Sequence, residues 1–265
     1  MTEVTFQLTR GTVPLVLSLP HTGVALPASL RANYVARALG VEDTDWHLTR
    51  LYEFAESLGV SIIAPRFSRY VIDLNRPPDN APMYPGASNT ELCPTRFFSG
   101  DALYLEARAP DAVEIERRRG TYWQPYHDAL ADELHRIREQ FGYALLWDGH
   151  SIRSHIPWLF GGKLPDLNLG TASGASCSPS LRQKLVDEMQ RHAAFTHAAD
   201  GRFKGGFITR HYGHPEENIH AVQMEMCQSM YMEESHPFAY DATRAAQAQP
   251  VLRRLLEIML AWTPQ

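Results

Sequence analysis

VPLVLSLPHTG, residues 13–23, is the stretch that decides the fold. From Val13 to Pro20 the only polar side chain is Ser18. The run is rich in Val and Leu, too short for a helix, and closed by proline, which is the pattern of a strand buried on both faces. A histidine, His21, follows it directly. The same order recurs further along, where the apolar run Tyr143–Trp147 leads into Asp148-Gly149-His150. In α/β sheets the ligand site lies outside the carboxyl ends of the strands. His21 and His150 are expected at two such ends.

Working outward, two helical patterns follow the first strand, at Pro27–Leu39 and Asp45–Leu58. The second places Leu48, Leu51, Tyr52, Ala55 and Leu58 on one face, and Gly59 stops it. Val60–Ala64 and Tyr70–Leu74 read as strands. From Arg76 to Asp111 prolines, glycine and asparagine punctuate the chain, as in PPDNAPMYPGASN, and predict a long loop. The segment Asn80–Ser99 inside it is a candidate lid, because loops of such length in compact domains usually serve function. A long helix is predicted over Gly120–Phe141, where Tyr122, Tyr126, Leu130, Leu134, Ile137 and Phe141 step by three or four. Gly161–Pro179, rich in Gly and Ser, reads as an irregular wall or lid. Pro179–Ala194 reads as a helix, Gly206–Arg210 and Ile219–Met226 as strands, and Pro250–Trp262 as a closing helix with proline at its first position. The alternation predicts a single α/β domain, residues 1–265, with a sheet between helical layers.

Composition narrows the function classes. A formal charge of −5 and a pI near 6.2 argue against a general nucleic-acid binder. No apolar segment near the start approaches the ~20 residues of a membrane span, and no signal-peptide pattern precedes it. Cys93, Cys177 and Cys227 are scattered and odd in number, which suits a reducing cytoplasm rather than a disulfide framework.

The polar residues placed among these elements suggest the chemistry. A lone histidine at a strand end is more often structural, but two in equivalent positions point to a shared site. Imidazole is a good zinc ligand, and catalytic zinc commonly takes two His and one carboxylate, leaving a position for water. VEDTDWH offers Glu42, Asp43 and Asp45 as that carboxylate, with helix capping as the plainer role. Glu225 lies in the apolar run AVQMEMCQ, with Gln223 beside it, where a carboxylate is expensive to bury unless something compensates it. Burial raises a Glu pKa toward values useful for proton transfer. Arginines crowd RFSRYVIDLNRPPD, as Arg66, Arg69 and Arg76, with Asn75 adjacent; guanidinium forks hold carboxylates bidentately. Arg153 and Arg210 are further candidates.

SLPHTG, DTDWHLTRLYE, RYVIDLNRP, LWDGHS, GGFITRHYG and VQMEM occur in this order between Pro14 and Met232. The ordered set resembles the N-formylglutamate amidohydrolase family, within a broader zinc carboxypeptidase-like group. The resemblance implies a three-layer α/β/α fold with a central mixed sheet. It implies that His21 and His150 are metal ligands, that Asn75-Arg76 grips a carboxylate, and that Glu225 is general base and acid. In the carboxypeptidase pattern the acidic ligand sits three residues after the first His. Val24 stands there in this chain, so the acid must come from further along. The N-formylglutamate amidohydrolase family keeps an acid before its second helix, and the resemblance thereby implies Asp45, with Asp43 as the other possibility. The implied reaction is zinc-assisted hydrolysis of N-formylglutamate to glutamate and formate, at the end of a histidine degradation route. Arg69 is expected to assist Arg76, and Arg153 or Arg210 to hold the second carboxylate.

Other readings fit the sequence less well. HYGHPEENIH holds His211, His214 and His220 but matches no strong zinc signature, and HExxH is absent. No G-x-S-x-G elbow surrounds Ser151, and there is no P-loop. A different zinc amidohydrolase, such as a peptidase or acyl-amino-acid deacylase, would share the metal site with another acyl pocket. A non-catalytic binder of acidic amino acids would need neither the histidines nor Glu225.

Overall fold

The computed structural model describes residues 3–82 and 90–264. The strands are β1 (Phe6–Thr9), β2 (Leu15–Ser18), β3 (Ser61–Pro65), β4 (Ala144–Ile152), β5 (Leu167–Gly170), β6 (His197–Ala199) and β7 (Ile219–Cys227). The α-helices are α1 (Ala28–Arg31), α2 (Leu48–Leu51), α3 (Phe54–Ser57), α4 (Ala112–Arg118), α5 (Gln124–Phe141), α6 (Pro179–Arg191), α7 (Phe207–Tyr212) and α8 (Ala242–Ala261). The strands form one sheet in the order β1-β3-β2-β4-β7-β5-β6. Neighbours from β3 through β2 and β4 to β7 are parallel, while β1 on β3 and β5 on β7 are antiparallel. The sheet is therefore mixed.

Alternate residues of the central strands feed two cores. Leu15, Leu17, Leu145, Trp147, Val222 and Met224 pack toward α2, α3, α6 and α8. Val16, Ile63, Leu146 and Ala221 pack toward α1, α5 and α7. Helices thus cover both faces, giving three layers, and each fully buried Leu or Val contributes ~1.5–3 kcal/mol. Trp147, wholly buried, satisfies its indole by donating to the Tyr52 hydroxyl at 3.0 Å. Among the described residues no helix is long and apolar enough to cross a membrane.

The parallel register also sets the polar groups. Ser18 pairs with Asp148 and Asp148 with Gln223, while His150 pairs with Glu225. With a period of two, Ser18, Asp148, His150, Gln223 and Glu225 share the α5/α7 face of the sheet. Apolar residues occupy that face at the amino ends of the strands, beneath α5. Polar ones occupy it at the carboxyl ends, where a cleft opens.

Several sequence expectations change. Tyr70–Leu74 is not a strand; it is a buried turn held by Val71 N–H on Ser68 C=O and Asp73 N–H on Leu92 C=O. Gly206–Arg210 belongs to helix α7, not to a strand. Pro27–Leu39 and Asp45–Leu58 are each broken into short helical pieces. The strand expected to end at Trp147 continues through His150 to Ile152, and β5 lies within the stretch read as irregular. The closing helix begins at Ala242, where Asp241 accepts from the Thr243 and Arg244 amides, so Pro250 sits in its interior. Part of the candidate lid Asn80–Ser99 lies outside the described residues.

Candidate metal centre and active site

His21 follows β2 and His150 lies near the end of β4, so the pairing of these strands brings the rings together, with centroids 4.8 Å apart. Asp45 arrives from the turn before α2, where its amide donates to the His21 carbonyl at 3.0 Å. The His21 and His150 Nδ1 atoms are 3.1 Å apart, and Asp45 Oδ2 lies 3.2 Å from His150 Nδ1 and 3.7 Å from His21 Nδ1. A tetrahedral zinc with bonds of ~2.0–2.1 Å separates its ligand atoms by about 3.3 Å, so this triangle has the right size. The three residues form a buried group able to hold a metal ion.

The surroundings orient each donor. His21 Nε2–H donates to Asp73 Oδ1 at 2.6 Å, which turns Nδ1 toward the triangle. His150 Nε2–H faces Asp148 Oδ2 at 3.1 Å with the same effect. Carboxylate partners of this kind fix the tautomer and ring orientation of metal-binding histidines. Asp148 is itself held by Ser18, Thr209 and Asn75, and the Ser151 amide donates to Asp45 Oδ2 at 3.1 Å.

Charge makes the same case. Asp45, Asp73, Asp148 and Glu225 are all buried, and Arg69 is the buried guanidinium among them. It donates to Asp73 Oδ2 at 2.7 Å and lies 3.7 Å from Asp45 Oδ1. Burial alone would raise the Asp45 pKa, but hydrogen bonds from His150 and His21 hold it well below the usual carboxylate range. Burial would likewise raise Asp73, but His21, Arg69 and Arg76 hold it low. Burial works against a charged His150, yet Asp148 and Asp45 raise its pKa well above the ordinary imidazole value. Glu225 is pushed up to about 8, chiefly by burial and then by Asp45 and Asp148, against His150 and Arg69. Buried negative charge underlies the rise in His150 and adds to the effect of burial on Glu225. Buried charges of one sign require compensation, and a divalent cation held between the three donors would supply it.

The cleft encloses about 690 Å³ of non-protein space, solvent at its mouth included, and is lined by His21, Asp45, Arg69, Asn75, Arg76, His150 and Glu225 among others. Glu225 reaches it from β7, and Gln223 Nε2 donates to its Oε2 at 3.1 Å while Gln223 Oε1 accepts from the Gly206 amide at 2.6 Å. Asn75 is engaged inward: its Oδ1 accepts from the Ile208 amide, the second residue of α7, at 2.8 Å. Arg76 is rooted by donating to Thr90 and to the Asn75 carbonyl, and lines the cleft beside it.

Not every candidate converges. Asp43 accepts from the Tyr70 hydroxyl, the Phe98 amide and Arg153, and Glu42 pairs with Arg37. Arg153, turned to Asp43, and Arg210, exposed on α7, are not among the lining residues. In the second histidine cluster, His214, Glu216 and Glu217 come together but all are exposed, while His211 stacks on Phe207. Sequence reasoning missed Asp73, Asp148, Gln223 as a brace for Glu225, and Arg202 in the cleft wall. Asp73 and Asp148 carried the signal that singled out Glu225, a carboxylate set among strongly apolar neighbours.

The sequence matches the family model for N-formylglutamate amidohydrolase over residues 13–232, most of the chain. The chain belongs to the N-formylglutamate amidohydrolase family. It is 52% identical over 253 residues to an N-formylglutamate deformylase of Pseudomonas putida, covering 96% of this chain and 94% of that one. A deformylase of the same name from Pseudomonas aeruginosa is also 52% identical over 253 residues, covering 96% and 95%. In structure the chain is similar to an N-formylglutamate amidohydrolase from Ralstonia eutropha JMP134, with a TM-score of 0.82, 25% identity, and coverage of 98% of this chain and 100% of that one. Within this family's shared fold, the cleft at the carboxyl ends of β2, β4 and β7 is the candidate active site.

Proposed function

We propose that this member of the N-formylglutamate amidohydrolase family is a zinc-dependent enzyme of the cytoplasm, acting as one catalytic domain at the end of a histidine degradation route. The protein hydrolyses N-formyl-L-glutamate to L-glutamate and formate. The observation that carries the reading is the meeting of His21, Asp45 and His150 with Glu225 in a cleft also lined by arginines. A binder of acidic amino acids would need the arginines alone.

His21 Nδ1, Asp45 Oδ2 and His150 Nδ1 would hold the ion, and two imidazoles with one carboxylate suit zinc. When bound, the ion supplies Lewis acidity toward water and toward the formyl oxygen. Glu225 is the group that moves protons. Gln223 occupies Oε2, leaving Oε1 to take the proton of the attacking water and pass it to the glutamate nitrogen as the C–N bond breaks. Burial, which raises the Glu225 pKa, makes it a stronger base than an exposed carboxylate and a competent acid once protonated. Arg76 anchors a substrate carboxylate so that the formyl carbon lies beside Glu225 and the three donor residues, and Asn75 and Arg69 hold the anchor and those donors in place.

Glu225→Gln preserves size and the bond to Gln223 but removes the base. Formate release should fall about 10²–10⁴-fold, with zinc stoichiometry by mass spectrometry unchanged. Turnover near the wild-type rate would rule Glu225 out as base.

A further inference from the structure

The substrate carries two carboxylates: one on the carbon bearing the reacting nitrogen, and one two methylenes further out. Three arginines line the cleft among the described residues: Arg69, Arg76 and Arg202. Arg69 is 7% exposed, clamped on Asp73, close to Asp45 and laid over the Phe98 ring at 4.7 Å, so its charge serves the ligand carboxylates. Arg76 adjoins Asn75, whose Nδ2 lies 3.0 Å from His150 Nε2, and so stands near the reacting centre. Arg202 comes from the turn between β6 and α7. It donates to the Leu159 carbonyl at 3.2 Å and lies 5.6 Å from the Phe203 ring centroid. Leu159 and Phe203 line the cleft as well. A guanidinium set in such an apolar wall attracts an anion more strongly than one in open water, and its apolar neighbours suit methylenes.

We infer that Arg202 binds the side-chain carboxylate of the substrate while Arg76 binds the α-carboxylate, so that the pair selects a dicarboxylate. The inference rests on the substrate reading above, which assigned the second carboxylate to no lining residue. It makes Arg202 a specificity determinant rather than part of the hydrolytic machinery.

The test compares wild type, Arg202→Gln and Arg202→Lys on N-formyl-L-glutamate, N-formyl-L-glutamine and N-formyl-L-isoglutamine, with zinc content and unfolding temperature measured for each protein. The last two substrates replace the side-chain and the α-carboxylate, respectively, with a neutral amide. A charged hydrogen-bonded contact gives about a 10–100-fold loss in kcat/KM for Arg202→Gln on formylglutamate, mainly through KM. The same loss is expected on formylisoglutamine, and almost none on formylglutamine, where the partner charge is already gone. Arg202→Lys, keeping charge without the fork, should fall between, with the same pattern. If Arg202→Gln does not fold, the pattern in Arg202→Lys decides. Equal losses on all three substrates, sparing of formylisoglutamine instead of formylglutamine, or no loss at all would overturn the assignment. Wild type inactive on all three would instead overturn the substrate reading itself.

Discussion

Asp73 stands out in the sequence as an acid among apolar residues, but the side chains it acts on appear only in three dimensions. It accepts from His21 at 2.6 Å through one oxygen and from Arg69 at 2.7 Å through the other. It thereby fixes the tautomer of one proposed ligand and the position of the cation that shields the cluster. Asp73→Asn retains an acceptor but loses the charge, and its amide nitrogen faces a donor. Zinc affinity should drop about 10–100-fold, the usual cost of losing such a partner, as read by competition with a chromogenic chelator; affinity equal to wild type would mean that Asp73 does not support the metal. Legibility follows the same line. His21, His150 and Glu225 were readable because a polar group at the end of, or within, an apolar strand is conspicuous on one strand alone. Choosing Asp45 over Asp43 from spacing alone was impossible, since two acids in one turn differ only in where it points them. Here Asp43 turns to Tyr70, Phe98 and Arg153, and Asp45 to the histidines. Asp73, Asp148 and Gln223 act on other side chains, and hydropathy carries no trace of a partner.

At the scale of elements, β2, β4 and β7 were legible because burial on both faces leaves a nearly uninterrupted apolar run. The short helix α7 was not. GGFIT has the composition of a strand, and what turns it into a helix is distant: Asn75, more than a hundred residues earlier, caps the Ile208 amide. The Asn75 Nδ2 group donates to Asp148 and touches His150, so the start of α7 and the orientation of a proposed ligand share one side chain. Gly206 makes this arrangement possible. A β-carbon there would lie 2.2 Å from Asn75 Nδ2 and 2.5 Å from its Oδ1, with Asn75 itself buried. Gly206→Ala therefore displaces Asn75. Loss of the cap costs about 1 kcal/mol, a modest fall in unfolding temperature. Catalysis should suffer more, by about 10²-fold, because small displacements in the supporting groups spoil the geometry of attack. Formate release and thermal unfolding measured together test this; a variant with wild-type kcat/KM would show that α7 and the site are not coupled through Asn75.

Over the whole molecule, the fold concentrates negative charge at the carboxyl ends of three parallel strands, where the proposed metal ion would balance it. Composition could not disclose this, since a net charge of −5 says nothing of where the acids sit. Stripped of metal, the protein must meet the imbalance with protons. Glu225, with its folded pKa pushed up to about 8, holds a proton that the unfolded chain releases near the ordinary glutamate value. His150, also raised, holds one beyond the ordinary imidazole value. In both cases the folded state binds more protons than the unfolded state, so the stabilisation is complete at low pH and disappears as pH rises through the folded values. Asp45 and Asp73 are shifted the other way, but their window lies below the ordinary aspartate value and leaves this range untouched. Between pH 5 and 7.5 the Glu225 shift alone removes about 3 kcal/mol from the metal-free protein. Zinc reverses this, because it binds deprotonated ligands and stabilises only the folded state that assembles them. The rise in unfolding temperature on adding zinc to chelator-treated protein should therefore be small at pH 5.5 and grow steadily toward pH 8. In Glu225→Gln, which lacks one titrating group, the metal-free protein should lose less stability over the same interval. A zinc-induced rise that is independent of pH, or largest in acid, would mean that protons and the ion do not compete for this cluster.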